Sequence, residues 1–333
     1  MTKILAIETS CDETSVAVVE DGRNVLSNIV ASQVKIHAKY GGVVPEYASR
    51  MHAEKINLLI DEAVAKAGIS LKKLDAVAVT YGPGLEGALL VGVTAAKTLA
   101  MLLNIPLIPI NHLHGHIYAN FIAGNEPELP FVTLIVSGGH TQLVVVKDHM
   151  QFELIGTTRD DAAGEAFDKI ARFLDLGYPG GPIVEKLAQN GNDKAFNFPR
   201  PMLGQGFEFS FSGLKTAVIQ ALLKMKNDKI EINKPDVCAS FQKAVIDVLL
   251  KKSLKACKKY QISRLVLSGG VTANKTLRNG FEKEAQKEGI TCFVPPFAYC
   301  TDNAAMIGAT AFFAYQLNPG PGHNFRVQPS LKL

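Results

Sequence analysis

The sequence predicts an α/β fold built from two related units. Three observations carry that prediction. Apolar runs of strand length alternate with helical patterns along the chain, the arrangement in which sheets are covered by helices. A hairpin pattern at the start (Ile4–Ile7, the polar turn E-T-S-C-D-E-T-S, then Val16–Val19) has a counterpart at Phe131–Val146, F-V-T-L-I-V, S-G-G-H-T, Q-L-V-V-V. The turn S-G-G follows an apolar strand twice, at Ser137–Gly139 and Ser268–Gly270. One such turn is ordinary, but two in the same setting point to duplication. Two such units facing each other would bring both turns to one cleft. A length of 333 residues suits two domains, divided at 1–125 and 126–333, with a last helix over 302–317 packing back on the first.

The elements follow in order. After the first hairpin, apolar spacings of three and four predict a helix over Glu46–Ala67, with Gly68 as its C-cap. Ala76–Thr80 reads as a strand, Leu85–Leu103 as a helix and Leu107–Ile110 as a strand. The apolar stretch Ala88–Ile110 has the length of a membrane span, but Lys97, Asn104, Pro106 and Pro109 interrupt it, so a buried helix, a turn and a strand suit it better. Beyond the second hairpin, helices are expected at Ala163–Asp175, after Y-P-G-G-P (Tyr178–Pro182), at Leu214–Lys226 and at Pro235–Lys259. The strand R-L-V-L-S-G-G (Arg264–Gly270) leads into a helix over Thr272–Lys287, and Asp302–Leu317 forms the last.

Composition narrows the function classes. Apolar residues make up 47% and charged residues 20%, which excludes a disordered tail, a fibre and a small disulfide scaffold. The net charge of +4 permits a nucleic-acid partner without arguing for one. The five cysteines (Cys11, Cys238, Cys257, Cys292, Cys300) are odd in number and none lie in C-x-x-C, so a zinc knuckle and a redox dithiol are excluded and a reducing compartment is expected. The start M-T-K-I-L-A-I-E-T-S is too short and acidic for a signal peptide. The expectation is a cytoplasmic protein with no membrane contact.

The histidines carry the strongest chemistry. In H-L-H-G-H, His112 and His116 stand four apart, so on a helix they share a face while His114 points elsewhere. Two imidazoles at that spacing can grip a transition metal, and they directly follow an apolar strand. The metalloprotease pattern H-E-x-x-H is absent, because Leu113 stands where the general base is required. A carboxylate would complete a two-His, one-carboxylate set suited to Fe or Zn. Asp302, in C-T-D-N-A-A-M-I-G, is the candidate; as an isolated residue it also reads as an ordinary helix N-cap.

Other patterns are weaker. The two S-G-G turns and Y-P-G-G-P could expose backbone amides to a phosphate, and no P-loop or G-x-G-x-x-G occurs. Asp12 and Glu13 lie at the tip of the first hairpin, as a solvated turn or as acidic groups beside a ligand. Asp160, Asp161, Glu165 and Asp168 form a second acidic cluster, half of it explicable by capping. Cys11 and Cys300 read as buried thiols. The lysines 243, 251, 252, 255, 258 and 259 read first as a solvated helix face and second as a track for an RNA backbone.

Taken together, several segments resemble one family. Lys97–Ile117, K-T-L-A-M-L-L-N-I-P-L-I-P-I-N-H-L-H-G-H-I, is similar to the signature of the tRNA threonylcarbamoyladenosine transferases, a family that also carried the name O-sialoglycoprotein endopeptidase. I-E-T-S-C-D-E-T-S, G-G-V-V-P-E-Y-A-S-R-M-H, V-S-G-G-H-T-Q-L, L-S-G-G-V-T-A-N and C-T-D-N-A-A-M-I-G are similar to it too, spanning Ile7 to Gly308 in the family's order. His140 resembles bacterial members. The resemblance implies the duplicated actin-like fold shared with sugar kinases and Hsp70, of ribonuclease H-like type, with two lobes around a cleft. It implies transfer of a threonylcarbamoyl group from threonylcarbamoyl-adenylate to N6 of adenosine 37 in tRNAs reading codons that begin with A, releasing AMP. It implies His112, His116 and Asp302 as ligands of one divalent metal, Fe(2+) ahead of Zn(2+). It places the acyl-adenylate against Ile135, Val136, Ser137, Gly138, Gly139, Asp168, Gly181 and Asn274, with Glu185 where some relatives carry Asp. Asp12 or Glu13 would accept the amine proton. The implied partners are tRNA, a shorter paralogue of the same fold and a small P-loop ATPase. A metallopeptidase and a sugar or small-molecule kinase of the same fold are the competing readings.

Overall fold

A computed structural model describes residues 1–124, 126–320, 322 and 324–333. The chain divides into two compact units: residues 1–127, 148–151 and 295–333 form the first, residues 128–147 and 152–294 the second.

The first unit opens with three strands, β1 (Lys3–Glu8), β2 (Glu13–Glu20) and β3 (Asn24–Ser32). One helical turn, α1 (Val34–His37), leads to α2 (Pro45–Lys66), which begins with Pro45 in the first turn, where its missing N–H costs nothing. β4 (Ala76–Gly82), α3 (Glu86–Leu103), β5 (Leu107–Asn111) and α4 (His112–Tyr118) follow. The α3 helix stops at Asn104, whose left-handed backbone (φ 51°) ends the helix as a C-terminal cap. The sheet order is β3-β2-β1-β4-β5: the first three strands are antiparallel, and β4 and β5 add in parallel. Along β1 and β2 the side chains alternate. Leu5, Ile7, Val16 and Val18 pack with Ile56, Leu59, Val93 and Ala96 of α2 and α3. α3 has the length and apolar composition of a membrane-crossing helix, yet its Ala88, Leu89, Val93, Ala96 and Ala100 are buried in the fold.

The second unit repeats the plan with β6 (Phe131–Val136), β7 (Thr141–Asp148) and β8 (Gln151–Thr157), then α5 (Ala163–Phe173), α6 (Gly180–Ala188), α7 (Ser212–Asn227), α8 (Lys234–Tyr260), β9 (Arg264–Ser268), α9 (Lys275–Lys287) and β10 (Thr291–Phe293). Its sheet, β8-β7-β6-β9-β10, has the order of the first: β6 and β7 run antiparallel, and β9 and β10 extend the sheet in parallel. Its core joins Val132, Leu134, Leu143 and Val145 to Phe167 and Ile170 of α5 and to Phe241, Val245 and Leu249 of α8.

The last helix, α10 (Ala304–Leu317), belongs to the first unit, as expected for 302–317, and the flanking residues 295–303 and 318–333 group there with it rather than with the domain expected over 126–333. The cause is packing. Gly308 lies against the sheet so closely that a Cβ there would sit 2.6 Å from Val19 and 3.3 Å from the Ala6 side chain. The C-terminal residues run on over the same unit: Gln328 N donates to Tyr81 O (2.8 Å) and Asn111 Nδ2 to Lys332 O (2.8 Å).

Candidate active site

Two helix starts and one strand end build the centre in the first unit. Asn111 caps α4 by accepting from Leu113 N at 2.9 Å, which places His112 and His116 on one face of a short, buried helix. At α10 the cap is Asn303, whose Oδ1 accepts from Met306 N at 3.1 Å. Asp302, the candidate ligand, is thus not the N-cap that it reads as in isolation: the next residue does that work, and the Asp302 carboxylate turns to the imidazoles. Asp302 Oδ1 lies 3.5 Å from His112 Nε2 and 3.3 Å from His116 Nε2. The ligand atoms of all three residues fall within 4.8 Å of one another.

His116 tests whether a cation suits this place. Its side chain is fully buried, and neither ring nitrogen has a hydrogen-bond partner among the described residues; the 3.3 Å approach to Asp302 is off hydrogen-bonding geometry. An unsatisfied buried imidazole costs about 1–3 kcal/mol, which coordination would offset. His112 gives the same answer through charge. Burial pushes its imidazole down, but the Asp302 and Glu8 carboxylates outweigh burial and hold it up to about 9. The centre therefore attracts a positive charge, and two imidazoles with one carboxylate are a transition-metal donor set.

Glu8, at the end of β1, was not among the residues expected from sequence. Its Oε2 accepts from His112 Nδ1 (2.9 Å) and from the Thr80 hydroxyl (2.6 Å), and its Oε1 from Ser10 N (2.5 Å). Burial raises the Glu8 carboxyl, and the His112 imidazole outweighs that and lowers it. A buried carboxylate behind a histidine fixes the tautomer and aims the far nitrogen at a metal. The available signal was an acid closing a wholly apolar strand, a place where a charge needs a partner. His114 is outside the triad, and burial pushes its imidazole down to about 4.

Asp12 and Glu13 flank the same centre. Asp12 is nearly buried, and Glu13 begins β2 with its Oε1 accepting from the Ser32 hydroxyl at 3.0 Å. Burial, then the charges of Asp12 and Asp302, push the Glu13 carboxyl up to about 9. Cys11 is held far above the ordinary thiol range by burial, then by Asp12 and Asp302, so it is no nucleophile. The five cysteines form no disulfide.

In the second unit, the residues expected to hold an adenylate are tied together by a chain of contacts. A Cβ at Gly164, near the start of α5, would meet Ser137 O at 2.6 Å, and Gly164 N donates to that oxygen. Gly180 N donates to Asp168 Oδ1 (2.7 Å), Lys275 N donates to Glu185 Oε1 (2.7 Å), and Asn274 caps α9 through Leu277 N (2.9 Å) while its Nδ2 donates to Gln242 Oε1 (2.7 Å). Ile135 pairs with Ser268 across β6 and β9, and the left-handed Gly269 (φ 93°) lets its backbone pass Val136 O. Asp168, Glu185 and Asn274 thus each brace a helix start. Gly138, Gly139 and Gly181 differ: a Cβ there would meet nothing within 4 Å, so packing does not demand glycine. Gly138 and Gly139 leave exposed backbone at the turn between β6 and β7, and Gly181 lies in the first turn of α6, where an anion is favoured.

In the acidic cluster, Asp160 accepts from Phe211 N and Ser212 N and so caps α7, as capping predicts for half the cluster. Asp161 pairs with Lys169 (2.8 Å) and Lys215 (2.7 Å). Lys252 of the lysine series is buried and donates to Gln205 O at 2.6 Å, so it is not part of a solvated face.

A duplicated α/β fold whose first unit carries a two-histidine, one-carboxylate centre defines the class of protein. The comparisons narrow it. Over residues 24–309 the sequence matches the family described as TsaD: tRNA N6-adenosine threonylcarbamoyltransferase. It is 53% identical over 331 residues to the tRNA N6-adenosine threonylcarbamoyltransferase of Clostridium perfringens (99% of this chain, 98% of the relative) and 52% identical to that of Clostridium botulinum (99% and 97%). The crystal structure of T. kodakarensis HypF covers 95% of this chain and 48% of its own at 13% identity, with a TM-score of 0.64, and shares the actin-like fold. The chain belongs to the tRNA N6-adenosine threonylcarbamoyltransferase family and has its activity, transfer of threonylcarbamoyl to N6 of adenosine in tRNA.

Proposed function

We propose that this transfer depends on a divalent metal held by His112, His116 and Asp302, and that the donor is threonylcarbamoyl-adenylate. The observation that supports it most is the convergence of those three side chains, one of them a fully buried histidine whose nitrogens lack hydrogen-bond partners. When bound, the metal, Fe(2+) or Zn(2+), supplies Lewis acidity toward phosphate or carboxylate oxygens of the donor.

The chain's own residues do the rest. Gly138, Gly139 and Gly181 present amides to the adenylate phosphate, while Asp168, Glu185 and Asn274 take up the first amides of α6 and α9 and so hold those helix starts in place. The donor is a mixed anhydride with AMP as a good leaving group. Positioning of N6 against the carbonyl therefore carries much of the acceleration. N6 attacks the carbonyl carbon, the C–O bond to AMP breaks, and the lost N6 proton passes to Asp12. Glu13 stands next to it, with its carboxyl pushed up by burial and by the neighbouring acids. The target base lies in a single-stranded loop and is reached with little unpairing. A shorter paralogue and a small P-loop ATPase complete the reaction in the bacterial form, and the absence of disulfides supports a reducing, cytoplasmic setting.

One assay tests this reading. Protein, partners, tRNA and synthetic threonylcarbamoyl-adenylate are combined, with His112→Ala and Asp12→Ala alongside. The expected result is modified adenosine and AMP from the intact protein and loss of both with His112→Ala. No modified adenosine from the intact protein sinks the donor assignment, and a full rate with Asp12→Ala removes that residue from proton transfer.

A further inference from the structure

Two exposed tyrosines stand beside the segment that carries Asp12 and Glu13. Tyr40 follows α1 and is 56% exposed; Tyr47 lies in the first turn of α2 and is 45% exposed. Their rings are stacked, with centroids 5.5 Å apart and planes 25° from parallel. Water-facing aromatic pairs waste apolar surface unless something covers them. Lys35, Lys39 and Arg50 are exposed on the same short stretch, against a single acid, Glu46, which pairs with Arg50 at 2.7 Å.

What lies beneath the pair is rigid. Gln33 N donates to Asp12 O at 3.0 Å. His37 Nδ1 accepts from Val44 N (3.3 Å), so its Nε2 donates to Gln33 Oε1 (3.1 Å). His52, on α2, accepts from the Thr14 hydroxyl at Nδ1 (2.7 Å) and donates from Nε2 to Cys11 O (2.9 Å). Gln33, His37 and His52 are buried. The network ties both tyrosine-bearing segments to the loop before β2, and Tyr40 stands about 12 Å along the chain from Gln33 by helical rise.

We propose that Tyr40 and Tyr47, flanked by Lys35, Lys39 and Arg50, form a stacking platform for an unpaired base of the tRNA loop next to the reacting adenosine. Single-stranded RNA is recognised by aromatic faces for its bases and cations for its backbone, which is the composition on this surface. Stacking tolerates any base, so the platform adds affinity and register without a sequence preference. The proposal rests on tRNA being the acceptor substrate.

The test uses the complete reaction mixture and an anticodon stem-loop with 2-aminopurine in place of a loop base beside the target. Wild-type protein quenches the fluorescence as the base stacks. Tyr40→Ala and Tyr47→Ala lose the quench and raise KM for tRNA five- to a hundredfold with kcat nearly unchanged. Tyr40→Phe and Tyr47→Phe keep both, because the ring remains. Lys35→Ala and Lys39→Ala each lower the slope of log Kd against log salt by about 0.7. Both tyrosines are exposed, so the melting temperature stays that of the wild type in each variant. An unchanged KM and quench in the double alanine variant overturns the proposal. So does normal RNA binding with loss of a protein partner, or Phe variants as weak as the Ala variants. A wild-type protein that transfers nothing to tRNA condemns the functional reading itself, whereas an active wild type with indifferent variants removes only the platform.

Discussion

His112 Nδ1 meets Glu8 at 2.9 Å, which directs Nε2 toward Asp302 and His116. Glu8→Gln keeps the shape and loses the charge, so metal affinity should fall about 10- to 100-fold while the fold persists, as read by metal content against melting temperature. The two carboxylates hold His112 up to about 9, so near neutral pH the metal-free centre carries an imidazolium proton that a cation must expel. Affinity should therefore rise with pH, by about tenfold per unit below about 9, and competition titrations at two pH values measure it. An affinity that falls or stays level as pH rises contradicts the assignment.

The elements are set by a few capping and close-packing residues. Asn303→Ala removes the α10 cap and should cost about 1 kcal/mol in denaturant unfolding, while Asn303→Asp retains it. Gly308→Ala forces a Cβ toward Val19 on the opposed sheet and should cost about 1–3 kcal/mol. Asp161 joins α5 to α7 through Lys169 and Lys215. Burial alone would raise its carboxyl, but those two ammonium groups outweigh burial and hold it below the ordinary carboxylate range. The sign follows from the unfolded chain binding the proton more readily: Asp161 stabilises the fold above its unfolded pKa, and this is lost as pH falls through the lower, folded value. Asp161→Asn should be less stable than the wild type at pH 7, with the gap closing in acid.

Across the whole chain, the two units share one strand order and differ in what they hold. All three proposed metal ligands lie in the first, and the open glycine turns in the second. A metal bound to the folded form alone stabilises by about 2.7 kcal/mol at a hundred times its Kd. Chelation should therefore lower the melting transition of the first unit and leave that of the second where it was. Calorimetry with and without chelator decides this, and equal shifts in both transitions would contradict the placement.

Well-buried elements were legible because each shows an apolar face or run, β5 among them although it stands at a sheet edge. Glu46–Ala67 and Leu85–Leu103 were expected where α2 and α3 stand, and Leu107–Ile110 where β5 stands. The outer strands β3, β8 and β10 were not, since a half-exposed or three-residue strand shows little contrast between its faces. The sequence by itself determined the α/β class, the duplication, the pair His112 and His116 and the candidacy of Asp302, because local periodicity and residue chemistry are written along the chain. Only the tertiary structure decided that Asn303 takes the cap, that Glu8 supports His112 from 104 residues away, and that the residues after the last helix run on over the first unit. Those outcomes depend on contacts between distant segments, and a chain read in order holds no signal for which distant groups satisfy one another.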